Sequence, residues 1–278
     1  MTSLFAPAIE RNPARARFSS ARALTWSARA WFATALAGQL IFAGYLLAFY
    51  WMAAIQGDFA AWNKLMPKAH VAGNTVGNVV IGVHVLIAAI VTLGGPLQLL
   101  GKLREFFPVF HRWNGRVYVV TVVVASLSGL YLNATRHADN LLQQMGIDLN
   151  ALLILAAAFI AVRHAMAGRT GAHRRWALRL FLLVSGSWFF RVGLMFWVAA
   201  NGAPVGFDPQ TFQGPALTIL GFLQFLAPLA VLELYFYAND KDQGRVRAGA
   251  ILTLVAATGI TAVGVAVATV ALWLPNIG

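Results

Sequence analysis

The chain has no cysteine, so disulfides, thiolate ligands and thiol nucleophiles are excluded. Ligand chemistry therefore falls to six histidines. Two of them head similar stretches: HRWNGRVY, from His111 to Tyr118, and HRRWALRLF, from His173 to Phe181. Each opens His-Arg, places a Trp within three residues, adds another Arg and then turns apolar. Two neutral imidazoles at similar depth on facing helices suit the axial positions of a b-type haem. Arg112, Arg116, Arg175 and Arg179 would hold its propionates as charge-assisted pairs. Trp113 or Trp176 would border the ring.

A second group lies inside apolar runs. His84, Arg191 and Glu233 are ionisable where burial is costly, and such residues mark functional positions by default. With Gln98 they would line a small-solute or proton path, and Arg191 would suit an acidic substrate. A third constellation takes His111, His173 and Glu233 as a two-His, one-carboxylate site for non-haem iron or zinc. Its ligands would have to converge from three helices, with no local motif such as HExxH. His70, His137 and His164 read as ordinary loop or interface residues. The plainer reading is that terminal Arg, His and Trp set topology and snorkel to the interface. The simplest structural role for Arg191 and Glu233 is to pair with each other.

The elements that position these residues are membrane helices. Of 278 residues 59% are hydrophobic, and the 11% that are charged are roughly half the share of a soluble domain. Apolar runs of about 20 residues recur, the length of a bilayer-spanning helix. The expected fold is all-α, an integral membrane bundle of seven spans at about 30–55, 77–100, 114–134, 146–163, 176–200, 215–237 and 248–274. The fourth is the weakest and needs Met145 to Asn150 to reach across. Residues 1–29 form a basic segment, with Arg11, Arg15, Arg17, Arg22 and Arg29 against Glu10, ahead of an uncleaved first helix. Residues 30–278 form one transmembrane domain whose polar-lined core covers about 77–237. The first and seventh spans carry few polar groups and are expected at its edge.

The net charge of +12 sits in short loops, which is a topology signal and not a nucleic-acid one. The segments around 101–113, 164–175 and 238–247 hold Lys102, Arg104, Arg112, Arg163, Arg169, Arg174, Arg175, Lys241, Arg245 and Arg247, against Lys64, Lys68 and Arg136 on the other side. The N-terminus is thus expected in the cytoplasm and the C-terminus outside, in a cell inner (plasma) membrane. Both His-Arg-Trp clusters then open helices on the cytoplasmic face. The outer loop at 56–76 is expected to rest on the membrane surface through Trp62 and Leu65.

Helical geometry sharpens the faces. His84 shares one with Ala88, Val91, Gly95 and Gln98, and His111 with Gly115, Tyr118, Val122, Ala125, Gly129 and Asn133. In a straight fifth span His173 and Arg191 return to the same azimuth. Pro96 and Pro228 are expected to bend their helices.

His84, GGPLQ (Gly94 to Gln98), Arg104, HRWNGRVY, HRRWALR, Arg191 and Glu233 occur in that order. Over about residues 77–237 this resembles a bacterial family of predicted multi-pass membrane proteins catalogued as a domain of unknown function. The shared pattern is GPxQ…HRxxGRxY…HRxW; where the family more often reads HRRWM, this chain has Ala177. The resemblance implies a multi-helix inner-membrane protein and assigns no activity. The repeated cluster also suggests that spans 2–3 and 4–5 are one two-helix unit used twice. The leading expectation is a membrane redox protein carrying one haem b, exchanging electrons with a membrane partner. The alternatives are a small-molecule or proton-coupled transporter and, third, a metal-dependent membrane enzyme; no nucleic acid is involved.

Overall fold

A bilayer offers no hydrogen bonds to the backbone, so apolar runs satisfy their own N–H and C=O groups as helices. A computed structural model describes residues 13–66, 68–136, 140–241 and 243–277, and there the runs are helical. The start of the expected basic segment and His137 lie outside the described residues. Helix α1 covers Pro13–Tyr45 and continues through a π-helical stretch, Leu46–Trp51, to Ile55. Then come α2 (Thr75–Leu99), α3 (Pro108–Thr135), α4 (Leu141–Met166), α5 (Thr170–Val184) and α6 (Gly186–Asn201). Helices α7 (Pro215–Asp240) and α8 (Gly244–Ala268) complete the set. A short helix, Gly101–Phe106, links α2 to α3.

Among the described residues six helices are long and apolar enough to cross a bilayer. The pair α5 and α6 meets at a 55° bend and makes a seventh span when taken together. The fold is thus the expected all-helical bundle. The fourth span, α4, has 26 residues and is long and apolar enough to cross. Its start is fixed by Asn140, whose side chain accepts from the Gln143 N–H, as Asn74 does for Gly77 at the start of α2. Pro108 and Pro215 stand in the first turns of α3 and α7, where a missing N–H costs nothing.

Three expectations are corrected. The fifth span is not one straight helix: the break at Ser185 destroys the common azimuth of His173 and Arg191. Gly/Ser pairs are a known cause of such kinks, and Ser185-Gly186-Ser187 supplies one. The outer spans are also not peripheral. Helix α1 packs along α8, and α8 along α6. Together with α2 they bury Phe42, Tyr45, Val85, Trp188, Val265 and Trp273 in one cluster. Small residues permit this, since a Cβ at Gly264 would collide with the Val192 carbonyl of α6. Finally, Trp62 does not lie on the membrane surface. It is 1% exposed and donates its Nε1–H to the Tyr50 carbonyl at 3.2 Å.

That buried indole anchors the loop between α1 and α2 as a folded cap. Asn63 donates to the His70 carbonyl at 2.9 Å and accepts from the His70 N–H at 2.8 Å. Asn78 pairs with both backbone groups of Val71 in the same way. Arg136, from just beyond α3, donates to the carbonyls of Lys68 and Ala69 and to Asn78 Oδ1.

Candidate functional site

The His-Arg-Trp sequences open α3 and α5, so both fall at one end of the bundle. Each builds the same local device. Arg116 lies over the Trp113 ring at 4.8 Å, and Arg179 lies over the Trp176 ring at 4.8 Å. The residue two places after each Arg is aromatic, and both aromatics reach the same point: Tyr118 and Phe181 flank Gly95 of α2. A side chain larger than hydrogen at Gly95 would press on both rings.

The two imidazoles are brought into one neighbourhood. His111 lies within electrostatic reach of His173 and of Arg104. His173 has its Nδ1 2.9 Å from the Ala161 carbonyl of α4. A carbonyl only accepts, so Nδ1 carries the proton and the neutral ring keeps its lone pair on Nε2. The backbone of His111 is held by Gln98, whose Nε2 donates to the His111 carbonyl at 3.1 Å. Gly115 leaves room for that amide, and Asn114 returns the favour by donating to the Gly94 carbonyl at 3.1 Å. Gln98 is therefore a residue that positions His111. The Nδ1 of His111 is buried and has no hydrogen-bond partner among the described residues.

The four arginines divide into two kinds. Arg175 donates to both oxygens of Asp240, at 2.6 and 2.8 Å. Arg179 donates to both oxygens of Glu233, at 2.7 and 2.9 Å. Both guanidinium groups also lie over the Phe236 ring, so α5 is clamped to α7. Arg112 and Arg116 pair with no carboxylate among the described residues.

The remaining candidates do not converge. The simple Arg191–Glu233 pair is not formed, because Glu233 is taken by Arg179. Arg191 instead donates to the Ser187 carbonyl at 2.8 Å and lies over the Phe42 ring at 5.5 Å. His84 belongs to the α2–α3 contact: its Nδ1 is 2.9 Å from Ser128 Oγ, with Gly129 giving its ring room. Nor are His111, His173 and Glu233 gathered as ligands. Among the described residues no group of three or more His, Asp or Glu side chains stands ready for a metal ion.

A second polar place was not foreseen. At the break between α5 and α6, Ser185 Oγ donates to the Phe181 carbonyl at 2.8 Å and accepts from Gln39 Nε2 of α1 at 2.9 Å. Asn150 of α4 donates to the Leu183 carbonyl at 3.3 Å. Gln224 of α7 stands beside Gly186. The available signal was three amides inside apolar runs, together with the Ser-Gly-Ser triplet. A search confined to ionisable side chains passes over them. Asp148, an ionisable residue within α4, accepts from Asn133 of α3 at 2.8 Å and joins those two helices.

With this geometry in place, the family follows from comparison. Residues 81–235, more than half of the chain, match the family model described as Predicted membrane protein (DUF2306). The chain belongs to this family. The matched stretch runs from α2 into α7 and contains both His-Arg-Trp clusters, the broken span and Glu233, as the resemblance implied. No curated protein and no solved structure matches the chain.

Proposed function

We propose that this multi-pass membrane protein holds one b-type haem between His111 and His173 and passes electrons to or from a membrane partner. The observation that carries the reading is the orientation of His173. Its Nδ1–H goes to the Ala161 carbonyl, which fixes the tautomer and leaves the lone pair on Nε2, the usual arrangement behind a ligating imidazole. His111 supplies a second imidazole within electrostatic reach, its backbone fixed by Gln98. Of the four cluster arginines, Arg112 and Arg116 hold the propionates, because Arg175 and Arg179 are engaged with Asp240 and Glu233. In this reading the end of the bundle with both clusters faces the cytoplasm of an inner (plasma) membrane, with the N-terminus inside and the C-terminus outside; the excess of Lys and Arg in the loops on that side supports the orientation.

The test is a visible spectrum of the purified protein, oxidised and then reduced. A reduced haem band that disappears in both His111→Ala and His173→Ala is the expected result. Colourless protein from haem-replete cells overturns the reading.

Transport of a small solute is the second reading, and one observation favours it. A membrane helix broken at a cluster of buried polar side chains is the usual setting of a transporter's binding site. The break at Ser185, with Gln39 and Asn150 around it, provides such a setting. His84, Arg191 and Glu233, the ionisable residues of the apolar runs, sit on separate contacts. Solute uptake into vesicles that is lost in Gln39→Leu but retained in His111→Ala would establish transport over redox chemistry.

A further inference from the structure

A groove of about 460 Å³ separates the folded cap from the first half of α2. Its size is that of a ligand site, far beyond the room one water needs. Val79, Gly82, Val83 and Leu86, which share a face of α2, line one side, and Phe59 and Trp62 of the cap line the other. Gly82 keeps the middle open, because a Cβ there would meet only the Trp62 ring, at 3.9 Å. The walls are held by bonds of their own: Trp62 to Tyr50, Asn78 to Val71 and, at the deep end, the Trp51 indole to the Leu86 carbonyl at 3.0 Å.

The position of the groove selects its occupant. Val79, Val83 and Leu86 lie about 6, 12 and 16 Å beyond Thr75 along the helix, so the groove follows one leaflet, about 15 Å of hydrocarbon. Val79 is 59% exposed and Val83 42% exposed, so the mouth opens sideways on the apolar part of a spanning helix. What enters from there is hydrocarbon. The polar lining residues, His70, Thr75 and Asn78, stand within one turn of the shallow end, level with the headgroups. The cap is basic at this level. Lys64 and Lys68 are exposed and pair with no carboxylate among the described residues, while Asp58 of the same loop accepts from the Ala61 N–H. An apolar cleft below a basic rim is complementary to an acyl chain below an anionic head.

We propose that this groove holds one acyl chain of an anionic phospholipid from the leaflet on the Thr75 side, with the phosphate at the level of Lys64 and Lys68. The bound chain covers Val79 and Val83 and packs between Phe59 and α2. The site lies at the end of the bundle away from His111 and His173 and does not depend on a cofactor there.

Photolabelling of the full chain in phosphatidylcholine vesicles tests the proposal. The probe is phosphatidylglycerol with a diazirine midway along one acyl chain, present as a minor component, and adducts are located by peptide mass spectrometry. Phe59, Val79 and Val83 are expected to be labelled several-fold more than Val120, which is 62% exposed on α3. Equal labelling overturns the proposal, since ordinary surrounding lipid would produce it. In Gly82→Leu, which fills the groove where a Cβ is tolerated, the excess is expected to vanish while Val120 labelling persists as the sign of a folded, inserted chain. An excess that survives in this variant also overturns the proposal. The same diazirine on phosphatidylcholine should label the groove less, and the difference should close when Lys64→Gln and Lys68→Gln are combined. Equal labelling by the two probes in the unaltered protein overturns the anionic head. Labelling by a diazirine fatty acid alone would assign the groove to a free fatty acid and overturn the phospholipid.

Discussion

Arg179 grips Glu233 with two bonds, Nε to Oε1 at 2.7 Å and Nη2 to Oε2 at 2.9 Å, and so ties α5 to α7. The fork geometry matters more than the charge. A guanidinium matches both carboxylate oxygens at once, whereas a lysine offers a single point charge. Glu233 is half exposed, so the pair is screened and worth only about 1 kcal/mol. Arg179→Lys and Arg179→Gln are both expected to lower the thermal midpoint in detergent by a few degrees. With Glu233→Gln the losses should be non-additive. Additive losses in that double-mutant cycle would show that the two side chains do not act as a pair.

Close packing of α8 against α6 gives a sharper test. A Cβ at Gly264 meets the Val192 carbonyl, which is backbone and cannot turn aside, whereas one at Gly259 on the same helix meets nothing within 4 Å. Gly264→Ala is expected to cost about 1–3 kcal/mol or to prevent folding. Gly259→Ala should be neutral or gain up to about 1 kcal/mol, as helix propensity alone dictates. Equal thermal midpoints for the two variants would mean that α8 does not lie this close to α6.

These cases mark what could be read from the sequence. The spans were legible because length and apolarity are properties of one segment at a time. The shared neighbourhood of His111 and His173 was legible for a similar reason: both open helices that run in the same direction. Partner choice was not. Nothing local says that Glu233 takes Arg179 over Arg191, since that depends on how α5 and α7 are rotated against each other. An aromatic such as Trp62 in a loop between spans is expected at the membrane surface, where Trp is enriched. Its burial follows from the Tyr50 carbonyl that it finds across the loop. The break at Ser185 was written in the sequence, but it only becomes a site when Gln39 and Asn150 arrive from two other spans.

Asn150 gives that break a partner for one of its carbonyls. Its Nδ2 donates to Leu183 O, and Gly186 leaves space for it, since a Cβ there would lie 2.9 Å from the same nitrogen. Asn150→Leu leaves the carbonyl unpaired in an apolar setting, at an expected cost of about 1–3 kcal/mol. Gly186→Ala should show a smaller loss of the same kind, because it displaces the amide without removing it. A thermal midpoint unchanged in Asn150→Leu would mean that the break does not rely on this bond.

The loop between α6 and α7 carries the clearest pH dependence outside the membrane spans. Asp208 accepts from the Gln210 N–H at 2.8 Å and from Thr211 Oγ1 at 3.0 Å, and its backbone bridges to Gln213. Donors aimed at a carboxylate favour its charged form, so these bonds, led by the Gln210 N–H, hold the Asp208 pKa below the usual aspartate value. A folded-state pKa below the unfolded one means that the turn is favoured above about pH 4. That preference is lost as the pH falls through the lower, folded value. Thr211→Ala removes one donor and should raise the Asp208 pKa towards the ordinary value, while the Gln210 bond keeps part of the depression. Carboxylate NMR shifts of Asp208, followed against pH in both forms, measure this directly. An identical titration in the two proteins would show that the Thr211 hydroxyl does not hold the carboxylate.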